Sequence, residues 1–262
     1  MLWGENGDMK KASFLGHEKA LLTCMVQADN PDRIKYLVEK SIPKGAEAFG
    51  MQLCRMKPEY RKPEIYRELF NRPDGLPTYV TNYAQHQNEG KSYDELGDEL
   101  CELAECGATL CDVMGDYYNG CEGQLTMNEE AVKKQMKLIE RLHKAGAEVL
   151  MSSHICKFTP AERVMEVALE HKRRGADICK IVTAASTMEE QIENLRILNM
   201  LKENLGIPFL YLSGGEESYI SRRLGGALGN CMSLCVYEQD EFSTKAQPDL
   251  CDLKLLRDTL GL

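Results

Sequence analysis

The amino-acid sequence predicts a single α/β domain, a (β/α)8 (TIM) barrel, from three observations. Short apolar runs rich in β-branched residues recur eight times, and their starts lie about 30 residues apart, enough for one β-α unit. Charge-rich segments with the apolar spacing of an amphipathic helix lie between these runs. The chain has 262 residues, close to the usual size of such a barrel, and no shift in composition divides it. Residues 1–262 are therefore expected to form one domain.

The eight apolar runs are interpreted as strands that follow one another along the chain. A short N-terminal arm or hairpin, over about the first 18 residues, is expected to precede them. The predicted strands are Leu21–Val26, Ala48–Leu53, Thr78–Asn82, Thr109–Val113, Val149–Ser153, Ile178–Val182, Phe209–Leu212 and Cys231–Val236.

The segments between the strands predict helices, most clearly at Glu129–Lys144, Pro160–Arg174 and Met188–Asn204. Thr159 is predicted to cap the second of these, with Pro160 at its first helical position. Glycines that precede a predicted strand are expected to stop the helix before it. They are Gly45, Gly107, Gly146 and Gly175.

An open, doubly wound parallel sheet is the rival arrangement, because periodicity does not reveal the order of the strands. No Gly-x-Gly-x-x-Gly follows the first predicted strand, which argues against the dinucleotide-binding form of that fold. Eight units without a break in composition favour the closed barrel.

Charge and cysteine content limit the classes of partner and compartment. The net charge of −9 and the isoelectric point of about 5.2 argue against a nucleic acid or an anionic membrane as the partner. The eleven cysteines lie scattered, largely in apolar runs, and no Cys-x-x-Cys occurs that would indicate a zinc or redox site. The sequence shows neither a signal peptide nor a membrane-spanning run, so a cytoplasmic protein is expected.

Two polar residues in the fifth and sixth strands are candidates for catalysis, because the carboxyl ends of barrel strands line the active site. Lys180 lies within the apolar run Asp-Ile-Cys-Lys-Ile-Val and must be either paired or desolvated; a desolvated amine can form a Schiff base. His154 ends the neighbouring strand and could transfer protons. The structural alternatives are a lysine that extends to solvent and a hydrogen-bonded histidine. Asp112, at the end of the fourth strand, could orient the imidazole or act as a structural acceptor.

An anion site is indicated after the seventh strand, where Ser213-Gly214-Gly215 opens a turn into a helix that carries Arg222. A flexible loop with a solvated arginine is the structural alternative. Because phosphate-binding barrels use a similar position, a phosphosugar aldolase is one functional candidate. Only His86 and His154 of the five histidines lie near strand ends, which argues against a metal-dependent isomerase.

Several motifs together resemble the type I 3-dehydroquinate dehydratase family, over nearly the whole chain and most densely between residues 146 and 247. Met-Ser-Ser-His154 followed by Phe-Thr-Pro160 resembles the family's catalytic histidine motif, and Gly-Ala-Asp-Ile-Cys-Lys180-Ile its Schiff-base lysine motif. The residues that resemble its substrate-carboxylate site are Arg222 in Ile-Ser-Arg, and Ser243 and Gln247 in Ser-x-x-x-Gln. Gly107-Ala-Thr-Leu-Cys-Asp112-Val fits the fourth-strand motif, although Met114 stands where the family has an acidic residue.

The second and third strands depart from the family pattern. Where the family reads Glu-x-Arg-x-Asp on strand two, the matching positions are Gly50, Gln52 and Cys54. Tyr83 replaces the arginine of Thr-x-Arg, and the acid that follows is either lost or shifted to Glu89. In the family these residues hold ring hydroxyls and support the histidine. Each charged hydrogen bond contributes about 1.5–3 kcal/mol, so their loss would weaken transition-state binding considerably.

Three functional interpretations follow from the resemblance. The first is a divergent dehydroquinate dehydratase in which Gln52, Tyr83 and His86 make the polar contacts of the family residues that are replaced. The second is a Schiff-base lyase that acts on a carboxylated ketone with fewer ring hydroxyls. The third is a catalytically silent binding or regulatory barrel. The resemblance implies a small carboxylated keto substrate, a mechanism without cofactor or metal, and a homodimer.

Overall fold

The computed structural model describes residues 12–261 and contains the eight predicted strands in one all-parallel sheet. Residues 1–11, which hold most of the expected N-terminal arm, and residue 262 lie outside the described part; residues 12–20 contain neither helix nor strand. The strands are β1 (Leu21–Val26), β2 (Ala48–Gln52), β3 (Thr78–Thr81), β4 (Leu110–Met114), β5 (Glu148–His154), β6 (Ile178–Ala184), β7 (Phe209–Gly214) and β8 (Met232–Cys235).

A helix follows every strand, and the predicted helices are confirmed to within one residue at each end. The helices are α1 (Pro31–Ser41), α2 (Pro63–Phe70), α3 (Tyr93–Glu105), α4 (Glu129–Lys144), α5 (Ala161–Arg173), α6 (Met188–Asn204), α7 (Tyr219–Leu224) and α8 (Leu250–Leu260). The four glycines expected to stop helices all have φ between 87° and 111°, a left-handed conformation that suits glycine.

The expected cap of α5 is wrong by one residue. Pro160 itself occupies the N-cap position, with extended backbone angles, and Thr159 provides no cap. The Thr159 hydroxyl donates instead to the Lys157 carbonyl, 3.0 Å away. The helix therefore begins at Ala161.

The strand order β7-β6-β5-β4-β3-β2-β1-β8 excludes an open doubly wound sheet, because the first and last strands pair with each other. The barrel closes between β7 and β8 through a single parallel bridge, Phe209 to Asn230. The Asn230 side chain completes this seam, since its amide oxygen accepts from the Tyr211 amide at 2.7 Å and its amide nitrogen donates to the Tyr211 carbonyl at 3.0 Å. A polar side chain thus replaces part of a backbone ladder.

One apolar cluster lies inside the barrel, and two further apolar clusters pack between the strands and the helices. Phe14 closes the amino-terminal end of the barrel: it is 1% exposed and its ring meets Tyr79 edge-to-face at 6.5 Å. The Phe14 amide donates to the Glu148 carboxylate at 2.8 Å, at the start of β5. Among residues 12–261, no helix has the length and apolar character needed to cross a bilayer.

Candidate active site

Lys180 lies on β6 and points into the barrel, where it is 6% exposed. Its Nζ donates to the Tyr83 hydroxyl at 2.8 Å and to the Tyr79 hydroxyl at 3.0 Å, and it forms an ion pair with Asp112 at 3.2 Å. The sequence left open whether Lys180 is paired, desolvated or extended to solvent, and the structure shows a paired lysine. Its amine is held at a defined point inside the barrel.

Asp112, on β4, is the acceptor around which this cluster is organised. It accepts hydrogen bonds from the hydroxyls of Ser152 at 2.5 Å and Tyr83 at 2.6 Å, and from that of Tyr79. Burial alone would raise the pKa of this carboxyl, but the Lys180 charge and the three hydroxyl donors outweigh burial and lower the pKa, so Asp112 is a carboxylate. The suggestion that Asp112 orients His154 is wrong, because its hydrogen bonds go to the lysine, the tyrosines and the serine.

Two tyrosines connect the lysine with its surroundings, and sequence reasoning identified only one of them. Tyr83 follows β3, and its ring lies against the His154 ring at 5.5 Å, nearly perpendicular to it. Tyr79, inside β3, is fully buried and resembles an ordinary core residue in the sequence. Burial, and then the Asp112 charge, raises the pKa of both phenols well above the usual value, so both are neutral hydroxyl groups.

His154 ends β5, two residues beyond Ser152, which is the register partner of Lys180. Burial and the nearby positive charge of Lys180 lower the pKa of the imidazole to about 4, against the opposing effect of Asp112. The imidazole is therefore neutral at physiological pH and can accept a proton. Its Nδ1 lies 2.6 Å from the side-chain oxygen of Gln124, a residue that the sequence analysis did not identify.

On the β1–β3 side of the barrel, the end of the Met25 side chain occupies the space beside Gly50, the first of the strand-two positions at which the family carries a larger residue. A Cβ placed on Gly50 would lie 2.2 Å from the Met25 sulfur and 3.3 Å from a ring carbon of Tyr79. Gln52 occupies the next inward position, and its side-chain oxygen accepts a hydrogen bond from the Gln27 side chain. The inward positions Gly50 and Gln52 therefore carry no charge.

The third-strand acid is not rebuilt by Glu89. Glu89 and His86 both lie exposed in the segment after β3, where the Glu89 amide donates to the His86 carbonyl at 3.2 Å. The expectation that Glu89 supports the histidine is not met, because the side-chain oxygen that accepts a hydrogen bond from the imidazole belongs to Gln124 on another loop. The sequence around β3 contains no feature that would predict Gln124 as the partner of the imidazole.

Arg222 lies on α7 and is 9% exposed, and no carboxylate within residues 12–261 forms an ion pair with it. Its Nε donates to the Ser213 carbonyl at 2.8 Å, which fixes the side chain against the end of β7. Burial lowers the pKa of Arg222 to about 10, so the group stays charged at neutral pH. A buried cation without a counter-ion is suited to an anionic ligand.

Ser243 and Gln247 lie on the loop between β8 and α8. The Ser243 hydroxyl donates to the Asp240 carbonyl at 2.9 Å and accepts from the Asp240 amide at 2.6 Å, so it is engaged within its own loop. Gln247 is 6% exposed, and its buried side-chain oxygen has no hydrogen-bond partner in the described structure. Arg33 on α1 tethers this loop through ion pairs with Glu238 and Asp240.

Comparison with known proteins identifies the family to which the chain belongs. The fold and site define a (β/α)8 barrel with a buried lysine–carboxylate pair at the carboxyl end of its strands. A model of the type I 3-dehydroquinase family matches residues 124–262, more than half of the chain. The chain therefore belongs to the type I 3-dehydroquinase family.

Individual relatives are distant. The 3-dehydroquinate dehydratase of Lactiplantibacillus plantarum is 25% identical over 154 residues, which are 56% of this chain and 60% of that protein. The structure of 3-dehydroquinate dehydratase from Geobacillus kaustophilus is similar with a TM-score of 0.79 and 16% identity, over 94% of this chain and 93% of that one. The type I enzyme from Clostridium difficile, solved with covalently modified comenic acid, gives 0.78 and 15%, over 94% of both chains. At these identities the structural likeness shows the fold.

Proposed function

We propose that this protein is a Schiff-base dehydratase that removes water from a small cyclic ketone bearing a carboxylate, with 3-dehydroquinate as the first substrate to test. The observation that carries the proposal is the buried Lys180 amine, held by Asp112 and Tyr83, with the neutral imidazole of His154 packed against the same tyrosine. Family membership supports it, as does the covalent acid ligand in the Clostridium difficile relative.

The reaction divides between these two residues. Lys180 condenses with the substrate ketone and expels water, and the resulting iminium acidifies the neighbouring carbon. His154 accepts that proton and then returns it to the departing hydroxyl group, which gives a conjugated enone acid. Hydrolysis of the imine releases the product and restores the lysine. Arg222, Ser243 and Gln247 are the proposed partners of the substrate carboxylate, since Arg222 is a buried cation with no ion-pair partner within residues 12–261 and the Gln247 side-chain amide can donate to a carboxylate oxygen.

A second candidate is the same elimination on a carboxylated ketone with fewer ring hydroxyls. It is favoured by the β1–β3 side of the barrel, where Met25 and Tyr79 occupy the space next to Gly50 and the side chain of Gln52 is uncharged. A silent binding barrel is disfavoured, because a buried lysine and a neutral histidine at one site are unfavourable to keep without a chemical use.

The proposal extends to assembly and compartment. A homodimer is implied by the family resemblance, and Leu169 on α5 and Ile192 on α6 are exposed apolar side chains that such an interface could cover. All eleven cysteines are free thiols, which supports a reducing compartment such as the cytoplasm.

Covalent trapping tests the proposal. We expect borohydride, added together with 3-dehydroquinate or a related keto acid, to leave a mass adduct on Lys180 and on no other lysine. His154→Ala should still be trapped while its turnover falls by at least about 100-fold, the usual contribution of general acid–base catalysis. Absence of an adduct with every keto acid tried, or an adduct on the loop residue Lys245 instead, would contradict the proposal.

A further inference from the structure

The loop between β4 and α4 contributes one side chain to the candidate site. Gln124 lies in a short helical turn, Glu122–Gln124, and its side-chain oxygen is 3.1 Å from the His154 backbone nitrogen and 2.6 Å from Nδ1 of the same residue. A backbone N–H can only donate, so the Gln124 atom that faces it must be the carbonyl oxygen. Because that same oxygen also faces Nδ1, the ring proton of the neutral imidazole has to be on Nδ1.

This arrangement leaves Nε2 as the unprotonated nitrogen, and within residues 12–261 no hydrogen bond reaches it. We propose that Gln124 is a positioning residue that holds His154 in the Nδ1–H tautomer and so presents Nε2 as the base. The inference rests on the proposed dehydratase function for its catalytic consequence, while the tautomer itself follows from geometry alone.

The loop is built to hold Gln124 in place. Gln124 has a left-handed backbone, with φ of 49°, and its carbonyl accepts from the Ser153 hydroxyl at 2.7 Å. Strained backbone of this kind persists only where the surroundings fix it, and it concentrates at functional sites. Arg174, whose side chain is fully buried, donates to the carbonyls of Gly115 at 3.0 Å and Thr126 at 2.6 Å, on either side of the turn.

Gln124 also differs from a carboxylate in its effect on proton affinity. The charged and titratable groups that act on His154 are Lys180 from β6, Asp112 from β4 and the neutral Tyr83 after β3. A neutral amide at Nδ1 leaves the pKa of the imidazole low, near 4, whereas a carboxylate in the same place would stabilise the imidazolium and raise it. Because protonated His154 cannot act as a base, activity is lost as the pH falls through this pKa.

The near-isosteric variant Gln124→Glu tests the charge effect. In the wild-type protein, the acid limb of kcat/KM, which reports the free enzyme, should lie near pH 4. In Gln124→Glu it should move upward by about one pH unit or more, the shift expected from an opposite charge at this distance. Gln124→Ala should lower kcat by about 10-fold or more, while Lys180 is still trapped by borohydride and the melting temperature confirms a folded protein.

A readout that does not depend on activity separates the two proposals. Nitrogen-15 NMR of histidine-labelled protein at pH 7, with the His154 signals identified by their loss in His154→Ala, should show a protonated Nδ1 and a bare Nε2. Gln124→Ala should shift His154 toward the Nε2–H form. Two results would overturn this inference and leave the dehydratase function standing. One is a wild-type protein in which His154 carries its proton on Nε2, and the other is a fully active Gln124→Glu enzyme whose pH profile of kcat/KM is unchanged. The expected tautomer in a protein that turns over no keto acid upholds the positioning role and overturns the dehydratase.

Discussion

At the scale of single residues, the site is dominated by one buried ion pair and the hydroxyls that support it. Lys180 and Asp112 have side chains 7% and 0% exposed, and Tyr79, Tyr83 and Ser152 supply the remaining hydrogen bonds. Such a pair is tolerated only when its geometry satisfies both charges, because desolvation of each ion is costly. The lysine is therefore kept inside the barrel by its partners.

Removing one partner of this pair should be more damaging than removing both. Asp112→Asn leaves the Lys180 ammonium buried without a counter-ion, so we expect it to lose about 3–5 kcal/mol of unfolding free energy in urea denaturation. The double variant Asp112→Asn with Lys180→Met should recover a substantial part of that loss. A double variant less stable than Asp112→Asn would show that the charges do not depend on each other.

The same pair gives a pH dependence with a defined sign. The folded-state pKa of Asp112 is lowered below its unfolded value of about 3.9, so its contribution to stability is complete above that value and declines as the pH falls toward the folded pKa. Asp112→Asn should lack this part of the acid-induced loss. The comparison is made on the same urea curves, collected at neutral and acidic pH.

At the scale of elements, the sequence predicts what is periodic and misses what is irregular. Strands with apolar runs and helices with amphipathic spacing were located closely, and Lys180 and His154 were conspicuous as polar residues within apolar strands. Tyr79 was not conspicuous, since a tyrosine in an apolar strand looks like a core residue in the sequence whether or not its hydroxyl contacts an amine. Gln124 lies in a polar loop with no repeating pattern, and only tertiary contact connects it with His154.

The departures on the second and third strands show the same limit. The sequence reveals that charged residues are absent at Gly50 and Gln52, but not that Met25 and Tyr79 fill the vacated volume. It suggested that Glu89 had moved to take over the lost acid, whereas the acceptor came from the loop after β4. A lost contact can be inferred from a motif, while its replacement depends on which loops the fold brings together.

At the scale of the whole molecule, a line of contacts connects the closed end of the barrel with the candidate site. Phe14 plugs the amino-terminal end, its ring meets Tyr79, and the Tyr79 hydroxyl reaches Lys180. Glu148 at the start of β5 accepts from the Phe14 amide and holds the plug in place. Phe14 is therefore part of the barrel core.

Truncation of this plug should destabilise the whole barrel. Phe14→Ala removes a ring that is 1% exposed and should cost about 3–5 kcal/mol in urea-induced unfolding, through lost burial and a cavity beneath Tyr79. Leu255→Ala, at a side chain 68% exposed on α8, is the matched control and should change stability by less than about 0.5 kcal/mol. Equal effects of the two substitutions would show that the plug is not part of the cooperative core.

The barrel mouth as a whole is asymmetric in charge, and this asymmetry should determine which substrates are accepted. On one side, Arg222 is a buried cation with no ion-pair partner in the described part of the chain, and Ser243 and Gln247 lie on the tethered loop before α8. On the other side, Gly50 carries no side chain and Gln52 is paired with Gln27. Loss of the substrate carboxylate leaves a buried cation unsatisfied, whereas loss of a ring hydroxyl leaves no charged group unpaired.

We therefore expect removal of the carboxylate to abolish measurable turnover. Removal of a ring hydroxyl other than the one that is eliminated should change kcat/KM by less than about 10-fold, since only neutral partners are lost. The measurement compares kcat/KM for 3-dehydroquinate, its deoxy analogues and a decarboxylated analogue, following the ultraviolet absorbance of the enone product. Arg222→Lys is the matched variant, because it keeps the charge but loses the planar fork of donors, and it should raise KM more than it lowers kcat. High efficiency on 3-dehydroquinate with sharp rejection of the deoxy compounds would mean that groups on the β1–β3 side hold the ring hydroxyls after all. Gln27, Gln52 and Tyr83, which are polar side chains on that side, would then be the first residues to substitute.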